Sequence, residues 1–290
     1  MTAWTAWPAP AKLNLFLQIL ARRLDGYHEL QTVFQLLDWG DTVHLRVRAD
    51  GAVLRETPLG SIPPEQDLCV RAAMALKSFA PPGAGVDIRL DKNIPLGGGL
   101  GGGSSDAATV LVALNVLWRC GLERSALAAI GLRLGADVPV FVQGYSAWAE
   151  GVGEKITPID LPARWYVLVD THTPVPTGPL FSVPELTRDA PPTTIPRFLS
   201  GEVNSNAFEP VVRARYPRID ACLSWLNGFG RARLSGSGGS VFLDTATRAE
   251  AQALADRCPQ GMAAYVVRGV NQSPLLDALK VFAAGASPSW

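Results

Sequence analysis

The segment LDKNIPLGGGLGGGSSDAATVLVALN, Leu90–Asn115, carries six glycines among the seven residues from Gly97 to Gly103 and then runs without a break into an apolar helical pattern. Glycine takes positive φ without steric cost and lets successive backbone N–H groups close on an anion. The helix that follows, expected to start near Ser105, turns its unpaired N–H groups and positive dipole end toward the same place. The combination reads as a phosphate cradle, with a triphosphate as its natural guest. A glycine linker would be polar on both sides. Here an alternating strand (Val86, Ile88, Leu90) leads in, and Ala107, Val110, Leu111, Leu114 and Leu117 lead out at helical spacing. No lysine follows the glycines, as a Walker loop requires, and the acidic residue of a dinucleotide fingerprint, about 20 residues on, is missing.

Composition narrows the classes. The 290 residues, 48% of them hydrophobic, are enough for two domains, and 26 basic against 26 acidic side chains give no global attraction to nucleic acid or anionic lipid. Any phosphate binding must therefore be local. Cys69, Cys120, Cys222 and Cys258 form no Cys-x-x-Cys pair and no charged-then-apolar signal opens the chain, so a reducing cytoplasm is expected. No apolar run approaches the roughly 18 residues of a membrane span. His28, His44 and His172 share no ligand spacing, and the sequence assigns no metal ligands.

Along the chain, Leu13, Leu15, Leu17 and Ile19 alternate with Lys12, Asn14, Phe16 and Gln18, which predicts a strand from Ala11 with two distinct faces. Asp25-Gly26 predicts a hairpin turn into a strand from Tyr27 to Leu37, and Trp39-Gly40-Asp41 a second turn before a strand from Thr42 to Val47. Asp67 caps a helix through Phe79, Val86 to Leu90 returns as strand, and a second helix runs from about Glu123 to Leu134 and stops at Gly135. Beyond Thr157-Pro158 a new strand, Trp165 to Val169, precedes a proline-rich connection from Pro174 to Pro196. Helices at Arg218–Leu226 and Ala249–Arg257 then alternate with strands at Arg233-Leu234, Val241–Leu243 and Ala264–Val267. The order predicts an α+β protein with residues 1–158 and 159–283 as two domains and 284–290 as a loose tail.

The glycine stretch, Pro95-Leu96-Gly97-Gly98-Gly99-Leu100-Gly101-Gly102-Gly103-Ser104-Ser105, resembles the second motif of the small-molecule kinases named for galactokinase, homoserine kinase, mevalonate kinase and phosphomevalonate kinase. Pro10-Ala11-Lys12-Leu13-Asn14-Leu15 resembles their first motif and Leu234-Ser235-Gly236-Ser237-Gly238-Gly239 their third. Within that superfamily, Asp25 to Gln35 (DGYHELQTVFQ), Leu134 to Pro139 (LGADVP) and Ala149 to Glu154 (AEGVGE) are similar to the 4-diphosphocytidyl-2-C-methyl-D-erythritol kinase family of the non-mevalonate isoprenoid route. The likeness spans both halves and is weakest from Ser182 to Leu199 and after Ala283. It implies an N-terminal ATP-binding domain and a C-terminal two-layer α/β sandwich with an antiparallel sheet. It also implies ATP-dependent phosphorylation of the 2-hydroxyl of that cytidine diphosphate ester, with Mg²⁺. The alternatives are a mevalonate- or homoserine-type kinase of the same superfamily, and a non-enzymatic RNA-binding module, against which the neutral charge argues.

The resemblance carries the catalytic lysine and aspartate onto Lys12, polarising the hydroxyl, and Asp137, taking its proton. Spacing alone leaves Asp137 open as a helix cap and Lys12 as a solvated surface lysine. The implied donor site comprises Pro95 through Ser105, with Lys92, Leu68 and Asp67 near the adenine. The family commonly has asparagine where Asp67 stands, and a carboxylate lacks the amide's donor. Ser104 and Ser105 are candidates for phosphate oxygens or Mg²⁺, or for helix caps. The implied acceptor site comprises Asn14, Tyr27, His28 and Phe181, with Phe34, Val152 and Thr177 as lesser candidates. These offer a phenol, an imidazole and an apolar ring to stack on a pyrimidine and bond its edge.

Overall fold

A computed structural model gives the fold and describes residues 3–56 and 63–285. Its spine is a pair of long antiparallel strands, β1 (Thr5–Arg22) and β2 (His28–Arg48), in register from Thr5↔Leu45 to Arg22↔His28. They join at the expected Asp25-Gly26 turn, where Gly26 has φ +87° and Asp25 Oδ1 accepts the Tyr27 N–H at 3.1 Å.

Two expectations for this hairpin are corrected. The Trp39-Gly40-Asp41 sequence is not a turn, because β2 runs straight through it. Gly40 is there for clearance, since a Cβ would lie 2.1 Å from the Ala9 carbonyl oxygen of β1. Asp41 accepts the N–H groups of Asn93 and Ile94 at 2.6 and 2.8 Å instead of bending the chain. The strict alternation of β1 also fails, at a register shift between Asn14 and Phe16. Phe16 joins Leu13 and Leu15 in one buried cluster, and Leu17 and Ile19 enter another. A bulge that swings side chains from one face to the other accounts for this.

β3 (Val53–Arg55) leads through α1 (Leu68–Leu76) to β4 (Gly85–Asp91), which it pairs with in parallel. α2 (Gly102–Leu117) starts three residues earlier than expected, and α3 (Arg124–Leu132), α4 (Val138–Gln143) and the hairpin β5 (Ala147–Gly151) and β6 (Lys155–Pro158) follow. After β7 (Trp165–Asp170) the proline-rich connection holds two short helices, α5 (Thr177–Leu180) and α6 (Ile195–Leu199). The chain ends in α7 (Glu209–Arg215), α8 (Pro217–Asn227), β8 (Arg233–Leu234), β9 (Ser240–Thr245), α9 (Arg248–Ala255), β10 (Ala263–Val270) and α10 (Pro274–Ala283). Of the expected tail, residues 286–290 lie outside the described residues.

The strands form one mixed sheet in the order β3-β4-β2-β10-β7-β9-β8, all named pairs but β3–β4 being antiparallel. Its two halves meet where β10 pairs with β2 through Gly269↔Leu37 and Val270↔Leu36. One core packs α1, α2 and α3 on β2 and β4, and takes in Leu275 and Ala278 of α10, with the Trp7 ring 5.2 Å from Phe282. A second packs α7 and α8 on β7 and β9. α2 fixes the glycine loop, because its ten residues from Ser105 to Leu114 are buried. The apolar side chains among them contribute roughly 1.5–3 kcal/mol each for Val and Leu, against a glycine cost of roughly 0.5–1 kcal/mol per residue. Packing therefore holds the loop. No described helix is long and apolar enough to cross a membrane, and all four cysteines are free.

Candidate active site

The glycine loop alternates into the left-handed region, with φ of +71°, +74° and +73° at Gly97, Gly99 and Gly101. Such alternation turns consecutive N–H groups inward to make an anion-binding concavity. Gly101 is the N-cap of α2 and no side chain caps it, so the first-turn N–H groups face the cleft. Neither Ser104 nor Ser105 serves as the cap. The third motif buttresses the loop: a Cβ on Gly99 would sit 2.1 Å from the Ser235 carbonyl oxygen, and one on Gly239 2.6 Å from the Gly97 carbonyl oxygen. Ser235 Oγ donates to the Gly99 carbonyl at 3.0 Å and accepts the Asn14 N–H at 3.4 Å. All three motifs are thus locked at Gly99. The sequence showed the third motif without its task, though its own three positive-φ glycines, Gly236, Gly238 and Gly239, were the signal.

Lys12 projects from β1 into the same place. Its Nζ donates to Asn14 Oδ1 at 2.6 Å and the Gly99 carbonyl at 3.1 Å, and stands 3.2 Å from Asp137 Oδ2. Three acceptors match the three ammonium donors, and Lys12 is 3% exposed, so it is not a solvated surface lysine. Asn14 is oriented in turn by donating to Thr32 Oγ1 at 2.8 Å. The Phe34 ring lies beneath the ammonium at 5.4 Å. Asp137 occupies the N-cap position of α4 but makes no side-chain cap hydrogen bond. Its carboxylate faces the cleft at 33% exposure, with Lys12 as its cation.

At the far end, the His28 ring stacks on Phe181 with centroids 4.7 Å apart and an interplanar angle of 23°, and Phe181 meets Phe208 edge-on at 5.0 Å. His28 Nε2 is buried without a hydrogen-bond partner. Burial first, then the charges of Arg188 and Arg22, push the imidazole below its ordinary pKa and keep it neutral at pH 7. Tyr27 is exposed at the hairpin tip, and Thr177 Oγ1 lies 2.6 Å from Ser237 Oγ.

One cavity of about 650 Å³ runs from the glycine loop to this aromatic end. Lys12, Asn14, Tyr27, His28, Phe34, Leu68, Lys92, Pro95 to Ser104, Asp137, Val152, Thr177 and Phe181 all line it. Asp67 and Ser105 do not. Asp67 caps α1 through the Cys69 and Val70 N–H groups, at 2.7 and 3.2 Å, and its other oxygen pairs with the buried Arg55. Ser105 Oγ is buried behind the loop with no partner. Behind the cradle Lys92 bridges Asp41 and Asp106, with Asp106 Oδ2 at 2.7 Å. Burial pushes the Asp106 carboxyl up to about 7, ahead of the pull of Lys92 and the push of Asp41. Asp106 and Asp41 gave no sequence signal, because a helical aspartate and an apparent turn aspartate read as surface groups.

Two family models match the chain, "GHMP kinases N terminal domain" over residues 67–145 and "GHMP kinases C terminal" over 197–264. A protein of Xanthomonas campestris pv. campestris (strain B100) named 4-diphosphocytidyl-2-C-methyl-D-erythritol kinase is 59% identical over 278 residues, covering 96% of this chain and 94% of the relative. One of the same name from Xylella fastidiosa (strain 9a5c) is 57% identical, covering 96% and 93%. Among solved structures, a 4-(cytidine 5'-diphospho)-2C-methyl-D-erythritol kinase superposes with TM-score 0.78 at 32% identity, covering 91% of this chain and 99% of that one. A mevalonate kinase at 16% identity and TM-score 0.68, covering 93% and 100%, shares the fold. With its motifs locked at Gly99 and its length matched almost throughout, the chain belongs to the 4-diphosphocytidyl-2-C-methyl-D-erythritol kinase family of the GHMP kinases.

Proposed function

We propose that this chain transfers the γ-phosphoryl group of ATP to the 2-hydroxyl of 4-diphosphocytidyl-2-C-methyl-D-erythritol, in the cytoplasm. The observation that supports the reading most is the Lys12 ammonium. It stands 3.2 Å from Asp137 and 3.1 Å from the Gly99 carbonyl, which ties a candidate proton acceptor to a candidate phosphate loop in one cavity.

The chemistry follows from that geometry. The cradle fits a triphosphate because a Cβ on Gly101 would lie 2.9 Å from the Phe141 ring and 3.1 Å from Lys12 Cε, so the loop stays open only as glycine. Ser104, which lines the cavity at the start of α2, would be the hydroxyl to hold Mg²⁺, which would supply charge neutralisation for the phosphate oxygens. Lys12 polarises the acceptor hydroxyl beside Asp137. Asp137 accepts the proton as the oxygen attacks. Neutral His28, with Nε2 unspent, bonds the edge of the cytosine, and Phe181 and Tyr27 supply rings against its face. Base binding away from the reacting hydroxyl then contributes to positioning it. On this account residues 1–158 hold the nucleotide and the transferring groups, and residues 159–283 add Thr177 and Phe181 to the acceptor end.

The test is to incubate the purified chain with Mg·ATP and, separately, the cytidine ester, mevalonate and homoserine, and to follow ADP release. The cytidine ester alone is expected to support turnover. Comparable efficiency with mevalonate or homoserine would remove the assignment.

A further inference from the structure

A second cavity, of about 310 Å³, opens where the two halves of the sheet join. Leu15 of β1 and Gln35 of β2 form one wall, and Tyr166 of β7, Arg233 of β8 and Asp244 of β9 the other. Cavities at such joins are where small ligands settle. It lies apart from the site described above, as Leu15 packs in the cluster with Leu13 and Phe16 whereas Lys12 and Asn14 line the first cavity.

Its charge is unbalanced. Arg164, Arg231 and Arg233 line it against one carboxylate, Asp244, an excess of two positive charges. Arg233 is fixed from three sides: it donates to Asp244 Oδ1 at 2.6 Å and to the Leu15 carbonyl at 3.3 Å, and its guanidinium lies 4.8 Å over the Phe242 ring. Its Nε–H is nevertheless buried with no partner. Arg164 stands 4.0 Å from the other Asp244 oxygen, at the limit of an ion pair, and Arg231 makes no hydrogen bond or ion pair to any described residue. The buried Tyr166 hydroxyl reaches its acceptor, Gln35 Oε1, only at 3.5 Å. An orphaned buried donor costs about 1–3 kcal/mol. The rest of the lining, including Leu15, Leu161, Pro162, Phe198 and Val203, is apolar apart from Asn204.

We infer that this cavity is a second binding site, for a phosphate monoester dianion with a short apolar group. Two unmatched positive charges equal the dianion. Guanidinium forks suit phosphate oxygens, with the Arg233 Nε–H and Tyr166 hydroxyl as directed donors, and the apolar wall suits a carbon chain.

The experiment titrates the full chain calorimetrically with butyl phosphate, first with its glycine cradle empty and then with it saturated by a non-hydrolysable ATP analogue, and repeats the second titration with inorganic phosphate and with butanol. Saturable binding of butyl phosphate is expected, weaker binding of phosphate, and none of butanol. The double variant Arg164→Gln/Arg231→Gln changes two solvent-reaching side chains and should keep the wild-type melting temperature and the KM for ATP, while losing about tenfold in affinity per arginine. Four results would overturn the inference: no saturable binding, loss of binding when the cradle is filled, equal affinity for inorganic phosphate, or an unchanged affinity in the double variant.

Discussion

At the end of the cleft proposed for the donor the lining is backbone: Gly97, Gly99 and Gly101 at positive φ, the N-terminus of α2, and the carbonyls of the Ser235–Gly239 loop packed against them. At the end proposed for the acceptor it is made of side chains, with His28 on Phe181 at 4.7 Å and one imidazole nitrogen unspent. Backbone geometry has no conservative replacement, because all three glycines sit at positive φ and a Cβ on Gly99 meets main-chain atoms that cannot rotate away. Side-chain contacts can be trimmed one hydrogen bond at a time. The donor end should therefore fail abruptly and the acceptor end by degrees.

The largest effect belongs to the pair where the two ends meet. Asp137→Asn keeps the volume and removes the proposed proton acceptor, and kcat should fall by about 10² to 10⁴-fold with both substrates still binding. Single-turnover phosphoryl transfer beside calorimetric binding measures this. A mild loss would mean that a loose transition state needs no base and that Asp137 only orients the hydroxyl.

Next comes a matched pair of glycines. Gly99→Ala and Gly26→Ala both place a side chain at positive φ, +74° and +87°, at a cost of roughly 1–2 kcal/mol each. The alanine at position 99 also meets the Ser235 carbonyl at 2.1 Å, whereas nothing lies within 4 Å of the one at position 26. Gly99→Ala should raise the KM for ATP more than tenfold and lower the melting temperature well beyond the few degrees expected of Gly26→Ala, roughly 2–4 °C per kcal/mol. Equal effects of the two would erase the distinction between a locked loop and a free turn.

The smallest effect concerns the charge cluster behind the cradle. The Asp106 carboxyl is raised in the folded state to about 7 from an ordinary 3.8. Folding therefore takes up a proton, and the stability so gained is complete below about pH 4 and is lost as pH rises through 7. Asp106→Asn cannot titrate. Denaturant unfolding from pH 5 to 8 should show wild type losing stability relative to Asp106→Asn as pH increases. A difference that is flat, or that grows with pH, would contradict the assignment.

How legible each part was follows from how local its cause is. The cradle was plain because its glycines answer to φ and to close approach within one loop. Lys12 and Asp137 are singled out only by the motif resemblance, because their pairing depends on β1 and α4 meeting across the chain, which spacing alone leaves open. The break at Trp39-Gly40-Asp41 was misread because Gly40 and Asp41 serve partners far away, Ala9 and the Asn93-Ile94 amides, and wear the residue types of a turn. β1 begins at Thr5, before Pro8 and Pro10, because β2 and the core behind Trp7 override the prolines. α10 went unseen although Ser273 caps it by accepting the Leu275 N–H at 3.2 Å and Pro274 opens it. That start signal was local and available. The resemblance ties Asp67 to the donor site, but its carboxylate caps α1 and pairs with Arg55 outside the cavity lining.

The division of the cleft is tested most directly by the two Michaelis constants of His28→Ala, measured side by side. The KM for the cytidine ester should rise by the equivalent of one hydrogen bond and some stacking, about 1–3 kcal/mol or roughly 5- to 150-fold, while the KM for ATP hardly moves. A raised KM for ATP with the cytidine ester spared would contradict the assignment of the aromatic end to the acceptor and of the glycine loop to the donor.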